Sequence, residues 1–176
     1  MGYVGLLTGM KPSAFSFSVD QREMMDQHKN NFPKWENLKG VLENLVSGVK
    51  GGGAVGMFLR TMADEEENFE DALESIKTVP LIAPVYIMVA GITSGSAAVV
   101  TRDRLKPDDT MGEGVWPLDV DGGAYWRLET NYDHWVDVPD TDNRRDPANE
   151  CMEKVMLGGR SGEERSDNRI LPQRNN

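Results

Sequence analysis

The chain has 176 residues, enough for one domain with a real core, and 27% of them are charged. Twenty-nine acidic against nineteen basic residues give a net charge of −10, and no basic run offers a surface to a phosphate backbone, which argues against nucleic-acid binding. One cysteine, Cys151, and two histidines, His28 and His134, leave neither an internal disulfide nor a metal site in prospect. No stretch approaches the roughly 18 apolar residues of a membrane span. Met1–Lys11 has no basic n-region and no long apolar h-region, so it does not read as a signal peptide.

In chain order, Val4–Thr8 is short and apolar, Lys11-Pro12-Ser13 is a turn signal, and Phe15, Phe17 and Val19 alternate with Ser16, Ser18 and Asp20. That period of two predicts a hairpin with one wet face. Residues 23–34 are polar and read as a loop. Helical spacing follows over 36–78. Leu38, Val41, Leu42, Leu45, Val46 and Val49 form one apolar stripe, which Gly51-Gly52-Gly53 ends. Val55, Phe58, Leu59 and Met62 form a second, shorter stripe. Asn68 is an N-cap candidate for a third helix, which carries Phe69, Ala72, Leu73 and Ile76 and stops near Lys77 and Pro80.

Val85–Ala90 reads as a strand buried on both faces, and Ser94-Gly95-Ser96 turns it into a second strand, Ala97–Thr101. Lys106–Gly114 is a loop, Val115–Leu118 is extended, and Asp121-Gly122-Gly123 signals a hairpin into Ala124–Asn131. Strands, then helices, then strands predict an α+β fold with helices packed on a largely antiparallel sheet. The predicted organisation is one domain over 1–139, with strands spread over 81–131, and a polar tail over 140–176. That tail is expected to be disordered or only locally helical.

Local motifs mislead. Gly51–Gly56 satisfies the dinucleotide glycine spacing, but what precedes it has helical periodicity and no βαβ unit surrounds it. Asp119-Val120-Asp121-Gly122 places its glycine too early for a calcium loop. Cys151 sits in the polar tail with no histidine close in sequence, and reads as a surface thiol. The segment Glu129–Trp135, ETNYDHW, ends an alternating run at Asn131, whose amide could serve either as a turn former or as an oxyanion donor.

Longer wording is more specific. Gly2–Arg22, Lys77–Met88, Val99–Arg104, Val115–Asp119 and Glu129–Trp135, with Arg144-Arg145 beyond them, are collinear blocks. Together they resemble the β-subunit of the acid ceramidase and N-acylethanolamine-hydrolysing acid amidase family, from Gly2 to about Pro147. The resemblance implies an N-terminal nucleophile hydrolase with an αββα sandwich, here incomplete. It further implies lysosomal residence, self-cleavage, and hydrolysis of linear fatty-acid amides such as ceramides or N-acylethanolamines by a cysteine. The implied partners are the lipid amide substrate and an α-subunit from the same precursor; no cofactor and no metal is implied.

Residue by residue, the resemblance makes Asn131 an oxyanion donor and Arg144 a support of the site. Gln21 stands where the family has a glutamate, and a glutamine there cannot carry charge or move a proton. Leu6, Leu7, Met57 and Phe58 are candidate acyl-pocket residues. The family's nucleophilic cysteine has no counterpart among these residues, so the chain reads as a fragment that is inactive alone. The alternative is a non-catalytic binding or regulatory module that keeps the fold.

Overall fold

A computed structural model describes residues 3–22, 34–108, 114–140 and 142–167. The loop expected over 23–34 lies almost wholly outside them, as does part of the loop over 106–114. The described residues fall into two compact units, divided between Asp137 and Val138.

In the first unit the opening pattern folds as a hairpin. β1 (Thr8–Lys11) and β2 (Phe15–Gln21) are antiparallel, with Lys11 opposite Phe15 and Thr8 opposite Ser18. The turn holds Ser13 at φ 60°, a left-handed conformation uncommon outside glycine, and Ala14 N–H closes it onto the Lys11 carbonyl at 3.1 Å. β1 starts at Thr8, later than the apolar run Val4–Thr8 predicts. The Leu6 N–H is drawn instead to the Gly56 carbonyl at 2.8 Å.

Three helices separate β2 from its next neighbour. α1 (Lys34–Val49) is stopped by Gly51, whose φ of 93° suits only glycine. α2 (Val55–Glu65) follows, and α3 (Phe69–Thr78) is capped by Asn68, whose side chain accepts from Asp71 N–H. β3 (Val85–Gly91), β4 (Ala97–Arg102) and β5 (Val115–Pro117) then complete a five-stranded antiparallel sheet in sequence order. Fold class and element types are thus α+β, as the periodicities predict.

Register decides which side chains face the helices. Phe17 lies opposite Val89, and Val89 opposite Ala98; Val19 pairs with Ile87, and Ile87 with Val100. These residues form one apolar stripe across the sheet, against which α2 and α3 lay Phe58, Leu59, Met62, Ala72 and Ile76. At Gly91 a Cβ would meet the Phe69 Cβ at 2.9 Å, so glycine permits α3 to start against the sheet.

Arg102 is fully buried at the end of β4. Its guanidinium donates to the Ile76 and Val79 carbonyls, which are left open at the end of α3. Burial lowers its pKa to about 10. α1 behaves differently from α2 and α3. Leu45 is 64% exposed and Val49 84%, and Leu38, Val41, Leu42 and Val46 are exposed with them. The helix is held through its polar side: Ser47 Oγ donates to the Leu81 carbonyl, and Arg104 bonds Asn44 and Glu43.

The strand predicted over Ala124–Asn131 does not join the sheet. Only Ala124 forms a bridge, with Asp119, and residues 125–131 belong to no strand. Burial there does not alternate either: Thr130 is buried, and the side chain of its neighbour Glu129 is nearly fully buried as well. The second unit carries α4 (Arg145–Asp167), in the stretch read as a polar tail. Among the described residues no helix is long and apolar enough to cross a membrane.

Leu59→Ala, at a site with no exposure, is expected to lower unfolding free energy by about 3 kcal/mol in urea titration. Leu45→Ala, on the open face of α1, is expected to change it by less than about 0.5 kcal/mol. A large loss at Leu45 would place the α1 stripe in the core.

Candidate functional site

The end of β2 and the segment 129–135 meet at one end of the sheet's strands. Asn131 Nδ2 donates to Asp20 Oδ1 at 2.7 Å and to the Gln21 carbonyl at 3.0 Å. The same Asp20 oxygen accepts the Gln21 backbone N–H at 2.9 Å. Two donors, one from each segment, therefore converge on a single anionic oxygen. Asn131 and Gln21, two of the candidates from sequence, are brought together. The contact uses the Gln21 main chain, and its side chain is exposed.

Next to them lies a residue that sequence reasoning passed over. Arg22 is buried, with only 5% of its side chain exposed, and three carboxylates surround it. Asp133 accepts from Nε at 2.8 Å and from Nη2 at 2.9 Å, a bidentate fork. Asp103 accepts from Nη1 at 2.7 Å and Asp108 from Nη2 at 2.9 Å. The Tyr86 and Trp135 rings lie within 6 Å of the guanidinium carbon, at 5.9 and 5.8 Å. Burial alone would loosen the guanidinium proton, but bonds to Asp133 and Asp108 outweigh it and hold the charge above its ordinary range.

Tyr86, on β3, donates its hydroxyl to Asp133 Oδ1 at 2.6 Å. Burial and the neighbouring Asp133 both push its phenol pKa up, so Tyr86 is a neutral donor here. Asp103 is shifted upward by burial, more than the Arg22 charge pulls it down. Beyond this cluster, Trp116 stacks on His134 at 3.7 Å and 8° between planes, and Arg127 lies 4.8 Å over Trp116. Glu129 is nearly fully buried and accepts Thr130 N–H.

The remaining candidates have surroundings of their own. Arg144 belongs to the second unit, where it forms an ion pair with Asp142 at 2.5 Å and more than half of its side chain is exposed. Phe58 is a core residue, while Leu7 and Met57 are exposed. Signals for the missed cluster were present in part. Arg22 closes an alternating strand, Asp103 follows an apolar one, and Asp133 lies two residues after Asn131. No spacing rule connects residues 81 and 111 positions apart.

Asp103 couples stability to pH. Its raised pKa means that its contribution to stability is fully present below the ordinary carboxylate range and fades as pH rises through it. Asp103→Asn is expected to flatten that fade in thermal melts between about pH 4 and about pH 7, and to leave the neutral midpoint at or above that of the parent chain. Asp133→Asn, which breaks the bidentate fork, is expected to lower the midpoint.

No protein-family model matches the chain. It is 42% identical over 148 residues to the N-acylethanolamine-hydrolyzing acid amidase of Cavia porcellus, covering 84% of this chain and 37% of that protein. Acid ceramidase of Mus musculus is 33% identical over 152 residues, covering 86% of this chain and 35% of that protein. The solved structure of a Caenorhabditis elegans N-acylethanolamine-hydrolyzing acid amidase ortholog superposes with a TM-score of 0.67 at 26% identity. That match covers 87% of this chain and 57% of the solved one. The chain thus spans little more than a third of the length of the curated relatives it matches. Its five-stranded sheet with helices is part of the N-terminal nucleophile hydrolase fold of that neighbour. Over the segment it spans, the chain belongs to the family of N-acylethanolamine-hydrolyzing acid amidases and acid ceramidases.

Proposed function

We propose that this chain is the oxyanion-binding segment of an amidase acting on fatty-acid amides, of the ceramide or N-acylethanolamine kind. The observation that carries the reading is the convergence of Asn131 Nδ2–H and Gln21 N–H on one anionic oxygen, that of Asp20. Both donors are already aimed at a single point. A carbonyl oxygen that displaced the Asp20 carboxylate would meet two hydrogen bonds as its charge developed.

In this mechanism a cysteine thiolate attacks the amide carbonyl, and electrons move onto the oxygen held by Asn131. The tetrahedral intermediate expels the amine, which leaves with a proton, and water then hydrolyses the thioester to release fatty acid. Cys151, the sole cysteine of the 176 residues, lies exposed in the second unit. The proposed nucleophile is the cysteine that the family carries at its β-subunit N-terminus, which has no counterpart among these residues, and the proposed partner is an α-subunit from the same precursor. Arg144 is the proposed support of the site, and an acidic, lysosomal compartment is the setting suggested by relatives named for acid activity.

One observation favours the alternative of a non-catalytic module: both Asn131 amide directions are engaged by groups of the chain itself. The experiment is release of labelled fatty acid from ceramide and from N-acylethanolamine at acid pH. The 176 residues alone are expected to release none above buffer, and release would overturn the external nucleophile. Joined to a nucleophile-bearing segment encoded by the same gene, the chain is expected to turn over. Asn131→Ala is then expected to reduce kcat by about 10²–10³-fold. Unchanged turnover in Asn131→Ala would remove Asn131 from the reaction.

A further inference from the structure

Asn131 ends a segment that has no ladder to hold it. Between Ala124 and Asn131 the chain forms no strand beyond the Ala124–Asp119 bridge. An oxyanion donor must be fixed to within about half an ångström before the charge arrives. Its bonds to Asp20 and Gln21 tie the amide to the end of β2.

Arg22 provides a second tie. We infer that Arg22 is a positioning residue for Asn131, acting through Asp133; the inference rests on the reading of Asn131 as the oxyanion donor. The tripeptides Asp20-Gln21-Arg22 and Asn131-Tyr132-Asp133 are tied at both ends. Asn131 bonds Asp20 and Gln21, and Asp133 takes the Arg22 fork at 2.8 and 2.9 Å. Two parallel bonds set the carboxylate plane as well as its position, which a single bond does not.

Three other strand and loop positions then hold the fork. Tyr86 donates to Asp133 from β3 at 2.6 Å, and Asp103 and Asp108 take the two terminal nitrogens of the guanidinium. Tyr132, between the two tied residues, is only 2% exposed, so the middle of the tripeptide cannot lift away. Lysine at position 22 would keep a charge but not the fork.

The test reads Asn131 directly. In the ¹⁵N-labelled chain, hydrogen exchange of the Asn131 side-chain amide is followed by NMR. Arg22→Met is expected to accelerate it about tenfold, Arg22→Lys to recover part of the protection, and Tyr86→Phe to accelerate it about threefold. Leu59→Ala, destabilised through the distant core, is expected to leave it within about twofold of the parent under native conditions. A folded Arg22→Met with unchanged exchange overturns the inference, as does equal acceleration in Leu59→Ala. Should Arg22→Met fail to fold, Tyr86→Phe decides in its place, and no acceleration there overturns it. Because no turnover is read, failure here leaves the chemistry of Asn131 standing, and an inactive Asn131 leaves the clamp measured.

Discussion

A guanidinium withdrawn from water must find acceptors for its donors, and one end of this sheet's strands is arranged around that requirement. Arg22 stands at the end of β2, and its acceptors come from the end of β4, the loop after it, and the segment beyond the 119–124 turn. Each of those stretches is distant in sequence, and each is drawn to one point by the same buried charge. Removing any one acceptor leaves a partly unmet donor in a nearly dry site, whereas removing the cation leaves carboxylates facing each other. Asp103 is shifted upward chiefly by its own burial, with the nearby Asp108 adding to the shift and the Arg22 charge opposing it. Asn131 sits on the rim of this cluster and takes its orientation from it.

The opposite face of the sheet is held by a different force. Phe15, Phe17, Ile87, Val89 and Val100 meet Phe58, Leu59, Met62 and Ile76 in an apolar layer with almost no exposure. Arg102 enters that layer only because the last carbonyls of α3 need donors, and its guanidinium supplies them. The two buried arginines thus do opposite work. Arg102 closes a helix end against the core, and Arg22 gathers the chain on the other side of the strand end. The apolar stripe of α1 belongs to neither arrangement, since that helix is attached through Ser47, Asn44 and Glu43.

Much of the framework was legible in the residues. Alternation marked β2, helical spacing marked the three helices, Asn68 marked the start of α3, and the glycine run marked the end of α1. Each is a local preference, decided by neighbours within one or two turns of chain. The misreadings have an equally physical cause. Alternation in Ala124–Asn131 is a pattern of residue types alone; it does not supply the partner strand a ladder needs, and beyond Ala124 the chain forms no strand. The α1 stripe likewise records amphipathicity without saying what, if anything, covers it.

By itself the sequence determined the α+β class, the order and type of most elements, and, through collinear blocks, the family and the candidacy of Asn131 and Gln21. Tertiary structure alone decided that the Asn131 amide and the Gln21 N–H share one oxygen, that Arg22 is buried beside them, and that Tyr86 and three aspartates complete its surroundings. The division follows from range. Periodicity and capping are written within a few residues, whereas a buried charge is satisfied by whichever acceptors the fold delivers, here from as far as 111 positions along the chain.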